Sequence, residues 1–401
     1  MLKVVAEELV LAMSKIIGRN AILTDEKGII IASSDDANRI GSLHEPSLDV
    51  IKLRTPIFTD SNEAKKYKNV KPGFTAPIEF AHKVVGTVGV GGDPEKVRDF
   101  LLIVKKQVEI MLRENVLLKS AQLRENAIQN LIREITVFDL DVGDTAVLIS
   151  RGQELGYNLN LPHIAIVIDL HQFKSLTQSI RSSDASEGDN PELLIQSLIM
   201  NVLNIIKQTF DSPQDITSFI GNDKFVVLRA ILTVKKESSI IEYIDNKCLA
   251  LLANLKERGI DATIGIGTIA MNLVELRNSY RDAIRALTIG NKLNDKSDIY
   301  NIKDLQLEEL IISINKQRGQ KIVANVLKSL QEQSDWPELA RTIRAWCETG
   351  FSPINTSKKL NIHRNTFFYR LNKIEQISGL NLRKFRDATT LYFSLLFLEL
   401  D

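Results

Sequence analysis

The sequence has few cysteines and lacks the common signatures of metal and nucleotide sites. Its 401 residues include two cysteines, Cys248 and Cys347, which lie far apart and have no CxxC partner. This spacing argues against a disulfide framework or a cysteine-based zinc site and favours a reducing compartment. The five histidines form no HExxH-type cluster, neither a Walker A nor a GxSxG string occurs, and Gly265-Ile266-Gly267 lacks the third glycine of a dinucleotide loop. We therefore predict no cofactor and no metal.

Long hydrophobic runs are also missing, so the sequence predicts no membrane partner. A membrane-spanning helix needs about 20 apolar residues, and no stretch approaches that length. The apolar stretch Val4–Met13 contains Glu7 and Glu8, which makes it a poor signal peptide. A hydrophobic share of 44% and a charged share of 25% are typical of a globular chain with two or three domains. We expect a cytoplasmic protein.

Positive charge is concentrated near the C-terminus. The whole chain has a net charge of +1, whereas residues 351–386 contain eight basic residues and one acidic residue, a net +7. A basic patch inside a neutral chain is typical of a nucleic-acid site. The alternative is a basic helical hairpin that only packs on a partner.

The same region reads as a helix–turn–helix. The first helix is predicted from Asn355 to Leu360, with Asn355 or Thr356 as its N-cap. His363, Arg364, Asn365 and Thr366 open the second helix, whose spacing predicts a buried stripe of Phe367, Leu371, Ile374 and Ile377. The other face offers side chains that can reach bases and phosphates. The candidate DNA contacts are Lys358, Arg364, Asn365, Thr366, Tyr369 and Lys373, with Arg370 as a weaker candidate that could instead brace the fold.

The string LNIHRNTFFYRLNKIEQISGLNL is similar to the C-terminal helix–turn–helix of the PucR and carbohydrate-diacid regulators. The resemblance covers about the last sixty residues and implies a bacterial transcription factor. Because the resembled family mostly activates catabolic genes, it implies an activator rather than a repressor. The apolar helix Thr390–Leu400 could cover this unit or form a contact with a second subunit.

The N-terminal region begins with a helix, residues 3–17, followed by a hairpin, as PAS-like sensor domains often do. Strands are predicted at 21–24 and 29–33, joined by a turn in which Gly28 supplies the positive φ. A helix from Pro46 to about Leu53 and strands at 73–80 and 83–92 follow. Asp93 then caps a helix that has Pro94 at its first position.

Two features of this region could bind a small anion. Gly91 and Gly92 would present free backbone N–H groups at a helix start, and Arg39 with His44 would place a cation and a switchable donor in one loop. The alternative is that the glycines are turn residues, Arg39 is solvated and His44 caps a loop.

The segments TDEKGIIIASSD and RIGSLHEPSLDVI resemble the sugar-diacid recognition domain, over roughly the first 130 residues. The resemblance implies a small hydroxy-acid or sugar-diacid effector such as glucarate, galactarate or glycerate. Pro46-Ser47 departs from the pair found in many members, which leaves the shape of the next helix open. The effector-binding residues that the resemblance implies are Arg39, Gly41, His44, Glu45, Gly91 and Gly92.

One long helix is predicted from Pro94 to about Ile135, because the segment contains no glycine and no further proline. Its nearly continuous apolar stripe favours a coiled-coil-like seam that forms a homodimer or a higher even oligomer and links sensor to output. The alternative is a helix folded over its own sheet, at least along its first half.

The middle region alternates strands and helices and resembles a GGDEF-like domain. A hairpin with Gly221-Asn222-Asp223-Lys224-Phe225 at its tip stands where a diguanylate cyclase carries its GGDEF string. A cyclase needs adjacent carboxylates to hold Mg²⁺, whereas Lys224 would oppose the metal. Asp169 could still be one carboxylate. We expect a scaffold rather than an enzyme, with a polar loop at Ser182–Pro191.

The predicted fold class is multidomain α+β. Its parts are a PAS-like sugar-diacid recognition domain with a long dimerisation helix (1–130), a degenerate GGDEF-like ferredoxin-type α/β domain (144–303) and an all-α helix–turn–helix domain (304–401). The predicted function is a ligand-responsive, DNA-binding transcriptional regulator of sugar-diacid or hydroxy-acid catabolic genes. The alternatives are a GGDEF-type cyclic-dinucleotide enzyme or nucleotide sensor with accessory DNA binding, and a constitutive DNA-binding protein without an effector.

Overall fold

The computed structural model describes residues 6–67, 70–137, 144–171, 173–182, 191–221, 223–232, 236–293 and 297–400. The chain divides into two compact units, Met1–Arg124 and Glu125–Asp401. The first unit holds one sheet, and the second holds another sheet followed by a group of helices. Across the described ranges, no helix is long and apolar enough to cross a membrane.

The first unit is built around a five-stranded sheet. Its elements are α1 (Ala6–Ile17), β1 (Ala21–Asp25), β2 (Ile30–Ser33), α2 (Glu45–Leu53), β3 (Ile57–Thr59), α3 (Ser61–Ala64), β4 (Gly73–Phe80), β5 (Lys83–Gly91) and the first part of α4 (Pro94–Val137). The strand order is β2-β1-β5-β4-β3, and every neighbouring pair is antiparallel. The predicted strands and helices are confirmed to within a few residues, while β3 and α3 were not predicted.

The first hairpin turns as its sequence predicts. Gly28 has a φ of +74°, and one carboxylate oxygen of Asp25 accepts the backbone N–H groups of Lys27 and Ile29, both at 2.9 Å. A residue with a Cβ would be strained at that φ, so glycine and aspartate together define the turn.

The central strands β1 and β5 bury both of their faces. Leu23 and Val88 lie in the apolar core that α1 and α4 cover. On the opposite face, the hydroxyls of Thr24 and Thr87 are 2.8 Å apart, and Thr87 is 2.7 Å from the hydroxyl of Ser47 on α2. The two faces therefore have different chemistry, since the first belongs to the apolar core and the other carries buried hydroxyls.

The long helix α4 has 44 residues, which confirms the predicted continuous helix. Its first half packs on the sheet of its own unit, as the alternative interpretation expected. The buried residues there are Val97, Leu101, Val104, Val108 and Leu112. Other apolar side chains of α4 remain exposed, among them Ile103, Ile110 and Leu117. The predicted dimer seam stays a prediction.

A second sheet dominates the middle of the chain. Its elements are α5 (Thr145–Glu154), β6 (His163–Leu170), α6 (Phe173–Ser182), α7 (Pro191–Thr209), β7 (Ile216–Gly221), β8 (Lys224–Ala230), α8 (Glu237–Lys256), β9 (Ala262–Ala270), α9 (Leu273–Gly290) and β10 (Ile299–Asn301). The strand order is β10-β9-β6-β8-β7, with β10 parallel to β9 and the other pairs antiparallel. Helices α7 and α8 cover one face, and α9 with the end of α4 covers the other. The predicted polar loop falls on residues 183–190, outside the described residues.

The C-terminal helices share one core. They are α10 (Gln306–Ile312), α11 (Lys316–Gln331), α12 (Trp336–Glu348), α13 (Pro353–Leu360), α14 (Arg364–Ser378) and α15 (Phe385–Leu400). Phe367 and Leu371 of α14 are buried in the same cluster as Leu391 and Leu395 of α15. Helix α15 contains the apolar segment Thr390–Leu400, for which the sequence analysis left two roles open. This segment completes the core of its own domain.

Candidate effector pocket and nucleic-acid interface

A small cavity lies against the first sheet, and three of the predicted effector residues line it. Its volume is about 40 Å³, room for roughly three waters at about 10–15 Å³ each. Arg39, His44 and Gly91 are brought together here, although Gly91 is far from the other two in sequence. Asp35, Lys71 and Thr75 also line the cavity, and none of these three was predicted.

Asp35 is the centre of a charged cluster at this cavity. Its carboxylate accepts from Lys71 Nζ at 2.7 Å and Ser33 Oγ at 2.7 Å, and lies 3.4 Å from Arg39 Nη1. Burial alone would raise the pKa of Asp35, but the hydrogen bonds from Lys71 and Ser33 and the two positive charges outweigh it and lower the pKa to about 2. Two cations and one carboxylate leave the cluster with a net positive charge, which suits an anionic ligand.

His44 is a buried residue that lines the cavity. The residue is 5% exposed, and its Nδ1 is 2.7 Å from Ser47 Oγ. Burial, with a further contribution from the positive charge of Arg39, lowers the pKa of His44 to about 4. The imidazole is therefore neutral at pH 7. It can form a hydrogen bond with a ligand but adds no charge to the cavity.

The structure corrects the predicted role of the glycine backbone. The N–H of Gly91 donates to Asn20 O at 2.9 Å, and the N–H of Gly92 donates to Pro72 O at 3.0 Å. The prediction that these groups are free is therefore wrong, because sheet and loop pairing use them. Gly91 still borders the cavity.

Gly41 and Glu45 lie apart from the residues that surround the cavity. Gly41 has a φ of +87°, and its N–H donates to Ile30 O at 2.8 Å. Glu45 is exposed at the start of α2. Gly41 thus shapes the loop that carries Arg39, and a direct effector contact for either residue stays a prediction.

The start of strand β8 carries an ion pair with the neighbouring strand β6. Lys224 stands opposite Asp169 in the strand register, and its Nζ is 2.9 Å from Asp169 Oδ2. Asp223 adopts a φ of +65°, and Asn222 lies outside the described residues. Over the described ranges, no group of three His, Cys, Asp or Glu side chains could hold a metal ion. Asp169, which the sequence analysis considered as a possible Mg²⁺ ligand, is therefore paired with a lysine.

The helix–turn–helix is present, with one correction to its first cap. Helix α13 begins at Pro353, and Ser352 Oγ accepts the N–H of Asn355 at 3.4 Å. The prediction that Asn355 or Thr356 caps this helix is wrong, since Thr356 is fully buried and donates to Ser352 O at 2.7 Å. Pro353 at the first helical position was the local signal for the earlier start.

The second helix, α14, begins as predicted. His363 is its N-cap, and the Nδ1 of His363 accepts the N–H of Asn365 at 3.2 Å. Phe367, Leu371 and Ile374 are buried, which confirms most of the predicted stripe, while Ile377 is half-buried. The predicted DNA contacts that remain exposed are Lys358, Arg364, Asn365, Thr366 and Tyr369.

Lys373 and Arg370 are half-buried and lie near Asp335, the N-cap of α12. Lys373 Nζ donates to both carboxylate oxygens of Asp335 at 2.8 Å, and this hydrogen bond is the main cause of the lowered pKa of Asp335. The half-buried Arg370 adds a smaller contribution to that pKa shift. Lys373 therefore braces α14 against the start of α12, while the role of Arg370 stays a prediction.

The loop before α15 and the first residues of α15 form a further cationic surface. The sequence analysis included its charges in the net +7 but named none of its residues as DNA contacts. Arg364 and Arg383 lie 5.4 and 5.9 Å from the ring centroid of Phe368, within range of a cation–π interaction. The indole N–H of Trp346 donates to Leu382 O at 2.8 Å and anchors this loop. Arg383, Lys384, Phe385 and Arg386 are all exposed.

Three family models match the chain in an order that follows this architecture. A sugar diacid recognition model matches residues 1–135, a GGDEF-like domain model matches residues 141–289, and the PucR C-terminal helix-turn-helix domain model matches residues 339–397. Together they include both the cavity and the exposed face of α14.

Several proteins are similar to the chain over different lengths. The chain is 27% identical over 397 residues to the carbohydrate diacid regulator of Escherichia coli, covering 97% of this chain and 96% of that protein. It is 26% identical to the uncharacterized protein YsfB of Bacillus subtilis, covering 99% and 98% of the two chains. The DNA-binding transcriptional activator AdeR of Bacillus subtilis is 26% identical over 177 residues, 43% of this chain and 42% of that protein.

These features define a DNA-binding regulator with a sheet domain of the sugar-diacid type, a GGDEF-like domain and a PucR-type helix–turn–helix. Over nearly its whole length the chain is similar to the carbohydrate diacid regulator, and its C-terminal domain matches the PucR-type helix–turn–helix.

Proposed function

We propose that this protein is a cytoplasmic transcriptional activator that responds to a sugar diacid or hydroxy acid such as glucarate, galactarate or glycerate and controls genes for its breakdown. The observation that carries the proposal is the cavity at which Arg39, Lys71 and the neutral His44 meet. Cations suit the carboxylate of such an effector, and an imidazole suits its hydroxyls.

The effector carboxylate competes with Asp35 for Arg39. The contacts of Arg39 Nη1 with the two Asp35 oxygens are 3.4 and 3.5 Å, whereas a well-formed bond between a cation and a carboxylate is about 2.7–2.9 Å. A ligand carboxylate at normal distance thus improves on the present contact. Lys71, at 2.7 Å, continues to hold Asp35.

Thermal unfolding of the full chain with and without each acid tests this proposal. We expect one of glucarate, galactarate or glycerate to raise the unfolding temperature, because a ligand that binds only the folded state stabilises it. Arg39→Ala removes the shift, while Lys27→Ala, an exposed change in the first hairpin turn, retains it. Absence of a shift with all three acids would contradict the proposed effector class.

On the output side, we propose that α14 enters the major groove of DNA. Arg364, Asn365, Thr366, Tyr369 and Lys358 contact bases and phosphates, and the exposed residues 383–386 contact the phosphate backbone beside them. The shared stacking of Arg364 and Arg383 on Phe368 holds the two guanidinium groups ready for neighbouring phosphates.

The remaining parts of the proposal concern assembly. Two copies join along the exposed seam of α4 and present two helix–turn–helix units at a defined half-site spacing. The middle domain is a scaffold without catalysis, which the Lys224–Asp169 pair supports. The sensing, scaffold and DNA-binding roles fall to residues 1–130, 144–303 and 304–401.

A further inference from the structure

A buried chain of hydroxyl groups ends on His44. Its links are His44 Nδ1 to Ser47 Oγ at 2.7 Å, Ser47 Oγ to Thr87 Oγ1 at 2.7 Å, and Thr87 Oγ1 to Thr24 Oγ1 at 2.8 Å. None of the four residues is more than 5% exposed. The chain connects α2 with the two central strands β1 and β5 beneath the cavity.

The far end of the chain indicates the direction of its hydrogen bonds. Thr24 Oγ1 accepts the backbone N–H of Thr87 at 3.2 Å and donates its own proton to Asp25 O at 3.2 Å. A hydroxyl has one proton to donate. If the proton of Thr24 goes to Asp25, then Thr87 must donate to Thr24, and Ser47 must donate to Thr87.

The remaining link must then be donated by the imidazole, from Nδ1–H to Ser47 Oγ. The opposite direction would make Nδ1 an acceptor and would lose the bond from Thr24 to Asp25 O. It makes one hydrogen bond fewer in a buried region, and each such bond adds to the stability of the fold. The direction that starts at Nδ1–H is therefore favoured.

We propose that Thr24, Thr87 and Ser47 are positioning residues that hold neutral His44 in the tautomer with its proton on Nδ1, so that Nε2 accepts a hydrogen bond from an effector hydroxyl. Arg39 takes the carboxylate on the same cavity. Arg39 and His44 line the same cavity, so the proposed hydroxyl is the one on the carbon next to the carboxylate. The pocket thereby selects 2-hydroxy acids over acids of equal length that lack this hydroxyl.

Two further observations support this arrangement. Because Nδ1 is engaged with Ser47, Nε2 is the ring nitrogen left for the cavity that His44 lines. The lowered pKa of His44 keeps Nε2 unprotonated at pH 7, with Arg39, Lys71 and Asp35 as the charged groups around the same cavity. An unprotonated nitrogen accepts from a hydroxyl and cannot donate to a carboxylate, so the two cavity groups have separate roles.

The first test measures the tautomer directly. In the full chain labelled with ¹⁵N-histidine, at pH 7 and without ligand, His44 is identified by the resonance that disappears in His44→Gln. We expect a protonated-type shift for Nδ1 and an unprotonated-type shift for Nε2. The reverse pattern would overturn the proposal, and this result does not depend on whether any effector binds.

The second test measures selectivity by calorimetry with glycerate and 3-hydroxypropionate, which differ in the hydroxyl at carbon 2. This arm depends on the proposed effector function. We expect about tenfold tighter binding of glycerate by the natural chain, as one hydrogen bond between neutral groups can provide. Thr87→Val keeps the shape of the side chain but interrupts the hydroxyl chain, and it should reduce the preference to below threefold.

The matched control is Thr87→Ser, which retains the hydroxyl and should retain the preference. An unchanged preference in Thr87→Val would overturn the positioning role. If the natural chain binds neither acid, the proposed effector fails, while the tautomer experiment still decides the state of His44.

Discussion

At the scale of single residues, Asp35 is the carboxylate at the centre of the charged cluster in the first unit. Because the pKa of Asp35 is lowered from 3.8 to about 2, its ionised form stabilises the folded first unit. This contribution is fully present above pH 3.8 and is lost as the pH falls through about 2.

Asp35→Asn should therefore reduce the free energy of unfolding by about 1–2 kcal/mol at pH 7, and the difference from the natural chain should shrink below pH 4. Scanning calorimetry of both proteins between pH 2.5 and pH 7 measures this difference in the free energy of unfolding. A difference that stays constant over this range would show that the charge of Asp35 is not the cause. Asp60, whose pKa is lowered by the backbone N–H groups of α3, offers a comparison outside the cavity.

On the DNA side, Arg364 and Lys373 should behave differently although both are cations of α14. Arg364→Ala should weaken binding to the operator by about 1–3 kcal/mol and relax base preference, if Arg364 reads a base. Lys373→Ala should chiefly lower thermal stability, since Lys373 is bonded to Asp335.

Fluorescence anisotropy with specific and scrambled duplexes measures both effects, alongside thermal unfolding. An equal loss for Arg364→Ala on every duplex would assign Arg364 to a phosphate instead. A larger loss of affinity for Lys373→Ala than for Arg364→Ala would mean that the Asp335 pair opens in the complex.

At the scale of single elements, α4 has two apolar sides that differ in burial. One side is buried on the first sheet, while Ile103, Ile110 and Leu117 are 66%, 41% and 68% exposed and recur at intervals of seven residues. That interval is the repeat of a coiled-coil seam, and exposed apolar side chains at this spacing favour a second helix as partner.

The double substitution Ile110→Lys and Leu117→Lys should dissociate the dimer, because like charges would face each other across the seam. Light scattering on a sizing column should show twice the 45.1 kDa chain mass for the natural protein and the single mass for the variant. Lys119→Glu, on the other side of α4, should leave the mass unchanged. A natural protein that is monomeric at micromolar concentration would refute the seam.

The hairpin of β7 and β8 makes a separate prediction about chemistry. With Lys224 bonded to Asp169, the full chain incubated with GTP and Mg²⁺ should form no cyclic dinucleotide, as measured by mass spectrometry. An active cyclase in parallel reactions shows that the assay works. Any dinucleotide product in the presence of the natural chain would overturn the scaffold assignment.

At the scale of the whole molecule, sensing and DNA binding should be thermodynamically linked. If the effector raises DNA affinity by some factor, then DNA must raise effector affinity by the same factor, typically about 5–150-fold. Calorimetric titration of the effector with and without operator DNA measures one side, and anisotropy measures the other.

Arg39→Ala should abolish this linkage and leave the DNA affinity of the ligand-free protein unchanged. If the effect of the effector on DNA affinity differs from the effect of DNA on effector affinity, the two titrations do not compare the same pair of protein states. If effector binding and DNA binding do not affect each other, the first unit does not regulate DNA binding.

Local signals determined much of the fold. The glycine turn at Gly28, the unbroken periodicity of α4 and the buried stripe of α14 depend on neighbouring residues, so the sequence was sufficient to predict them. The charge of residues 351–386 and the string around Arg364 likewise indicated DNA binding before any contact was known. Helix α5 was missed although Asp144 is a good N-cap for it.

Only the tertiary structure decided how the candidate sites are assembled. Asp35 meets Lys71, Thr24 meets Thr87, and Lys373 meets Asp335 across 36, 63 and 38 residues respectively. Such pairs depend on which strands and helices become neighbours, above all on β1 lying beside β5. A linear pattern carries no signal for that neighbourhood, because hydrogen bonds and charges act over a few ångströms of space, whatever their separation along the chain.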